Sequence, residues 1–375
     1  MVSQKIIIAA NTDYRFDQRL QRIYSSLSEA GYTVDLLGRQ FENTPEIHAG
    51  ARHLPLWFRK GKAAYMELNI RFLFYLLQNK TDAICSVDLD TLPACWLASK
   101  LNRSILIQDS HEYMAEVPEV AFRPLTKKIW NWIANAFLPA CRLRYTVSRS
   151  LVEEFAAVYG QHFELVRNMA VLSAESLPQH GIPGLPDKDY LVFLGAVNRG
   201  RGLEELLEVL AERDESLLVI GSGDVMNEIT ALVNHYNLGS RIFFTGKLMP
   251  EQASVLLKNA RCGINLLRDE GLSYRYSLAN KFFDYVHAGI PQICIDFPEY
   301  RKLMQEYQVG MLCGIAKKEI HAALDEMKLP AVQGRFSAAA KEARKVWNWQ
   351  QESRHLIGLY QQLFAAKHHN EAILK

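Results

Sequence analysis

The stretch SLANKFFDYVHAGIPQICI, residues 277–295, sets a lysine, a carboxylate and a Gly-Ile-Pro turn at the head and tail of one short helix. A helix predicted over 280–286 carries Ser277, Asn280 and Lys281 at its amino end, where unpaired backbone N–H groups already favour an anion. Lys281 and Asp284 stand three residues apart, on one helical face. A cation beside free amides suits a phosphate, and a carboxylate one turn further suits a ribose. Gly289, Ile290 and Pro291 then end the helix, and 292–295 read as a buried strand.

Such a helix needs a sheet to hold it. Strands are predicted at 6–10, 33–38, 83–88, 104–110, 145–148 and 163–168, and again at 190–196, 216–222, 242–246, 263–267, 291–295 and 309–313, with helical patterns between them. Strand–helix alternation implies parallel sheets with right-handed crossovers, so the chain reads as α/β with two Rossmann-like domains. The expected division is an N-terminal domain over 1–172, a C-terminal domain over 185–346 and a linker at 173–184, within a stretch rich in proline and glycine. The tail 347–375 reads as a long amphipathic helix that must pack on something already built.

Composition narrows the function. With 375 residues, 49% hydrophobic and 22% charged, the chain can bury two ordinary cores and is not a disordered protein. A net charge of +2 gives no global field for nucleic acid, and no nucleic-acid partner is expected. The six cysteines are scattered without a CxxC pair and read as buried thiols of a reducing compartment, against a zinc site or a disulfide framework. No run approaches the roughly 18 apolar residues of a spanning helix. The first residues lack the marks of a signal peptide, so a cytoplasmic location is expected.

In parallel sheets, ligands gather beyond the carboxyl ends of the strands. After the first strand come Asp17 and Arg19, entering a helix; after 104–110 come His111 and Glu112; the strand at 163–168 ends on Asn168. In the second half, FLGAVNRGRGLEEL sets Arg199, Gly200, Arg201 and Gly202 before a helix, and VIGSGD sets Gly221, Ser222 and Gly223 in the same relation. No GxGxxG follows the first strand, which argues against a dehydrogenase.

Taken in order, DQRLQRIYSSLSEAGYTVDLL, DSHEYMAE, TVSRSLVEEF, FLGAVNRGRGLEELLEVL, VIGSGD and SLANKFFDYVHAGIP resemble the GT-B glycosyltransferases, specifically the retaining family-4 group that includes bacterial lipopolysaccharide, capsule and mannosyl transferases. The resemblance covers essentially the whole chain. It implies a GT-B fold, with two Rossmann-like domains facing a central cleft and the helix 347–375 crossing back to the N-terminal domain. It further implies a nucleotide-sugar donor, UDP- or GDP-linked, with neither cofactor nor metal. Arg201, with Arg199 as second candidate, and Lys281 would hold the diphosphate, whose charge grows as the glycosidic bond breaks. Gly221, Gly223 and Asn280 join the donor site, and Asp284 falls at the ribose-binding position of the family's paired glutamates. Tyr276 stands where the first of that pair belongs. That departure leaves the donor sugar to Glu270, or to Tyr276 and Ser277. His111 would support the reacting centre, and Asp17 and Arg19 would orient the acceptor or close the interdomain cleft. Retention in the family is explained by front-face attack, with the acceptor proton passing to the departing phosphate.

The acceptor leaves a fainter trace. Residues 54–77 and 123–138 interleave Arg59, Lys60, Lys62, Arg71, Lys127 and Lys128 with tryptophan, phenylalanine and tyrosine, a mixture that suits an anionic membrane surface. A glycan or lipid-linked acceptor and peripheral contact with the inner membrane face are therefore expected. Two other readings predict different behaviour. An epimerase of the same architecture would turn over the donor without an acceptor, and a non-catalytic nucleotide-sugar-binding homologue would bind without turnover.

Overall fold

Continuous apolar runs, buried on both faces, assemble into two wholly parallel sheets in the computed structural model, which describes residues 3–14, 17–40, 50–172 and 189–373. The linker expected at 173–184 lies outside these residues. Two compact units result, one of residues 1–168 and 351–375, the other of 169–350.

In the first unit, β1 (Lys5–Ala9), β2 (Thr33–Gln40), β3 (Ala51–Pro55), β4 (Ala83–Val87), β5 (Ile105–Ser110), β6 (Leu143–Thr146) and β7 (Glu164–Leu165) lie in the order β3-β2-β1-β4-β5-β6-β7. Its helices are α1 (Gln18–Glu29), α2 (Gly61–Gln78), α3 (Asp88–Asn102), α4 (Pro118–Ala121), α5 (Pro124–Phe137) and α6 (Arg149–Tyr159). The strand β3 has no counterpart among the predicted strands. Its sequence ARHLP is polar and ends in proline, tolerable because β3 pairs with β2 alone, at the sheet's edge.

The second unit orders β8 (Leu191–Leu194), β9 (Leu217–Ile220), β10 (Ile242–Gly246), β11 (Cys262–Asn265), β12 (Gln292–Ile295) and β13 (Gly310–Cys313) as β10-β9-β8-β11-β12-β13. Around it run α7 (Leu203–Leu210), α8 (Met226–His235), α9 (Pro250–Asn259), α10 (Leu272–Arg275), α11 (Asn280–Ala288), α12 (Pro298–Glu306), α13 (Lys317–Met327) and α14 (Pro330–Val346). The last helix, α15 (Trp349–Ile373), begins in this unit and belongs to the first from Gln351 onward.

That crossing falls later than the expected 347. Trp347 packs in one core with Met169, Phe282 and Phe283, and the Trp349 amide donates to the Ala170 carbonyl at 2.9 Å. These contacts keep 347–350 in the second unit. Further along α15, Tyr360 is fully buried and its hydroxyl meets that of Tyr145 at 3.3 Å, anchoring the helix in the first unit. All six cysteines are buried free thiols. Among the described residues no helix is long and apolar enough to cross a membrane, and no group of three or more His, Cys, Asp or Glu is placed to hold a metal ion.

Candidate functional site

In the second unit, α11 is fixed to the sheet by Tyr285. Its buried hydroxyl accepts from the Leu194 amide at 3.0 Å and lies 3.1 Å from the carbonyls of Val192 and Ile264, so one side chain ties the helix to β8 and β11. Gly263 makes room for its ring, since a Cβ there would lie 2.4 Å from Tyr285 Cδ2. The amphipathic spacing that buries Phe282, Phe283 and Val286 thereby carries Lys281 over the end of β8. Lys281 is only 7% exposed, and its Nζ stands 3.6 Å from the centroid of the Phe193 ring. Burial, and next the Arg201 guanidinium, push the Lys281 pKa well below its usual value; Asp284, one turn on, offsets this only in part.

Arg201 leaves the loop after β8 and lies over the Tyr274 ring, 4.8 Å from its centroid. Its Nε is buried and has no hydrogen-bond partner. Neither Lys281 nor Arg201 forms an ion pair among the described residues. Two like charges, both short of an anionic partner, thus converge beyond the carboxyl end of β8. Ala279 is the N-cap of α11 and has no side chain to cap it, while the Tyr300 hydroxyl accepts from the Ala279 amide at 3.0 Å.

The neighbouring loops approach very closely. A Cβ on Gly221, where φ is +144°, would lie 1.9 Å from the Gly195 carbonyl oxygen, and one on Gly223 would lie 2.2 Å from that of Val197. Both glycines therefore let the β9 loop pack against the β8 loop backbone to backbone. Glu270 sits over the Gly200 turn, 2.8 Å from where a Cβ would stand, and pairs with Arg268 at 3.6 Å. Tyr276 closes α10 with its amide on the Leu272 carbonyl, and Ser277 donates its hydroxyl to the Tyr274 carbonyl at 2.8 Å. Asn280 is exposed at the first turn of α11, and Asp284 is half-buried. Arg199 points elsewhere, into an exposed ion pair with Glu228 at 2.9 Å.

The first unit holds a second polar cluster. Arg19 is 2% exposed and grips Asp109 with both Nε (3.2 Å) and Nη2 (2.9 Å), while Nη1 donates to the Val166 carbonyl at 2.8 Å. His111 Nε2 lies 2.9 Å from Asp109 Oδ2 and 3.1 Å from Arg19 Nε. Burial alone would lower the His111 pKa; Asp109, and more weakly Asp88, outweigh it and hold it at about 9. Burial would raise Asp109, but Arg19 and His111 keep it below the usual carboxylate range. Asp88, at a φ of 56°, accepts from the His111 amide at 2.8 Å, and burial pushes its pKa up to about 7.

Asp17 caps α1 by accepting from the Leu20 amide at 3.0 Å, and every guanidinium nitrogen of Arg19 is engaged inside the unit, where it holds Asp109 beside His111. Asp109 and Asp88 were not singled out in the sequence. Asp109, on β5, stands two residues before His111, which follows the strand directly, a signal that was available. Asp88 was read as the last residue of a strand, whereas β4 ends at Val87 and Asp88 begins α3.

The fold is that of the GT-B glycosyltransferases. Within it, residues 178–343, a little under half of the chain, match the family described as Glycosyl transferases group 1. Sucrose-phosphate synthase from Thermosynechococcus elongatus superposes with a TM-score of 0.81 at 18% identity, covering 97% of this chain and 100% of that one. HepE of Anabaena, in complex with UDP and glucose, gives 0.74 at 13% identity over 96% of this chain and 99% of that one. WaaG, a glycosyltransferase involved in lipopolysaccharide biosynthesis, gives 0.74 at 12% identity over 94% and 98%. No curated protein sequence matches the chain.

Proposed function

We propose that the protein is a retaining, metal-independent glycosyltransferase that moves a hexose from a UDP- or GDP-linked donor to a glycan or lipid-linked glycan. The observation that carries this reading is the convergence of Lys281 and Arg201, two cations that repel each other near the start of a helix with no side-chain N-cap bond, and that form no ion pair among the described residues. A diphosphate supplies the missing charge. Asp284, three residues from Lys281, is assigned to the ribose. The bound UDP of HepE, a protein of the same fold, is consistent with this choice of ligand.

In the reaction, the bond between the anomeric carbon and the diphosphate oxygen breaks while the acceptor hydroxyl bonds to the same face of that carbon. Its proton passes to the departing phosphate. Lys281 and Arg201 stabilise the charge that develops there, which is greater than in the bound donor and so lowers the barrier. Within the first unit Asp109 holds His111 as an imidazolium, and the resemblance to the family assigns that residue to the reacting centre. The buried free thiols suit a reducing, cytoplasmic setting.

The test is release of nucleoside diphosphate from UDP- and GDP-sugars with EDTA present, with and without acceptor glycolipid, and NMR of the product's anomeric configuration. Acceptor-dependent release with retained configuration is expected. An isomerised nucleotide sugar formed without acceptor would establish an epimerase instead, and inversion or full loss with EDTA would contradict the mechanism.

A further inference from the structure

A surface helix of a globular protein ordinarily has one apolar stripe, facing the core. Here α2 has two. Ala64, Leu68, Phe72 and Leu76 face inward, while Met66, Ile70 and Phe74, also four residues apart, lie on the opposite side and are 53% to 67% exposed. The helix α5 repeats the pattern, burying Trp130 and Ala134 and exposing Leu125, Ile129 and Trp132 at helical spacing. Both helices pack on α3, and Tyr65 of α2 meets Trp130 of α5 edge-on at 5.6 Å between centroids, so the two stripes belong to one layer.

The charge around this layer is mainly basic, although Glu112 and Glu119 are exposed carboxylates near Tyr65. Arg59, Lys60 and Lys62 are exposed at the start of α2, and Arg123 and Lys128 at the start of α5. The nearby carboxylate of Glu67 is turned back onto the Trp57 and Phe58 amides and Arg71, and Glu116 is paired with Lys127. We propose that the outer face of α2 and α5 docks on an anionic lipid bilayer, the apolar stripes entering the acyl boundary and the basic helix starts meeting the headgroups. Self-association through the same face would bring these lysines and arginines against their own copies, since a two-fold interface apposes a patch with itself. As a membrane surface it is independent of the nucleotide site; only as the place where a lipid-linked acceptor is met does it rest on the glycosyl-transfer reading.

The experiment is flotation of the full chain with vesicles of phosphatidylcholine alone or mixed with phosphatidylglycerol, alongside Ile70→Gln/Phe74→Gln and Leu125→Gln/Trp132→Gln. Each pair is exposed, so the fold and UDP affinity should stay as in wild type, and a UDP titration checks that. Binding to the anionic vesicles, weakened at least about tenfold by either double substitution and by raised salt, is expected. No vesicle binding, equal binding to neutral vesicles, or a concentration-dependent dimer abolished by the same substitutions would overturn the proposal. Failure of wild type to bind any nucleotide would instead strike the donor reading and leave the vesicle result standing.

Discussion

Replacing Lys281 by methionine should separate binding from stability. The substitution keeps an unbranched apolar stem against Phe193 and removes a charge that is 7% exposed and opposed by Arg201. The ammonium's contact with the ring is worth about 1–2 kcal/mol to the charged form, yet the lysine pKa is lowered well below 10.5, so desolvation and repulsion win. The ligand-free variant should therefore melt no lower than wild type. Binding behaves oppositely, since removing one partner of a close charge pair costs about 2–4 kcal/mol, a loss of roughly 30- to 1000-fold in affinity. The sign with pH also follows. Because the folded pKa lies below the unfolded 10.5, the unfolded chain binds more protons between the two values, and wild-type stability gains a rising slope there that Lys281→Met lacks. Differential scanning calorimetry without nucleotide and isothermal titration with UDP or GDP measure both halves. A variant that binds nucleotide as wild type does, or that loses stability along with affinity, would refute the reasoning.

Three further outcomes test the surroundings of the site. His111→Gln should lose stability most at low pH: the wild-type contribution, on the order of 3 kcal/mol, is fully present below pH 6.5 and fades as pH rises through about 9, so urea unfolding curves of the two proteins should converge at alkaline pH. Asp109→Asn leaves Arg19 charged and buried, and chemical denaturation should show a loss of about 3–5 kcal/mol, larger than that of an exposed pair such as Arg199–Glu228. Gly221→Ala places a methyl 1.9 Å from the Gly195 oxygen in a backbone conformation that costs about 1–3 kcal/mol before the clash is counted, so both melting temperature and nucleotide affinity should fall.

The elements that carry the candidate donor site were legible in the sequence because they are local. Lys281 and Asp284 share one short helix, and Arg201 follows a strand of a sheet whose five other strands also read as apolar runs. What the residue order could not carry was partnership across the chain. Nothing near Arg19 says that its guanidinium closes on a carboxylate 90 residues away, and an arginine after a first strand reads as a ligand contact until its burial is known. Arg199 and Arg201 stand two steps apart in a glycine-rich loop, and the sequence ranks Arg201 first only through the family resemblance. The Glu228 carboxylate on α8 takes one, and the Tyr274 ring takes the other. The edge strand β3 stayed hidden for a different reason, since a one-sided strand needs neither a full apolar run nor freedom from proline.

The most direct measurement is calorimetric titration of the wild-type chain with UDP, GDP and ADP in the presence of EDTA. Micromolar binding of one nucleoside diphosphate, with proton uptake at pH values between the lowered Lys281 pKa and its ordinary 10.5, is the expected result. Binding of none of the three, or binding only after a divalent cation is added back, would contradict a site built on Lys281 and Arg201.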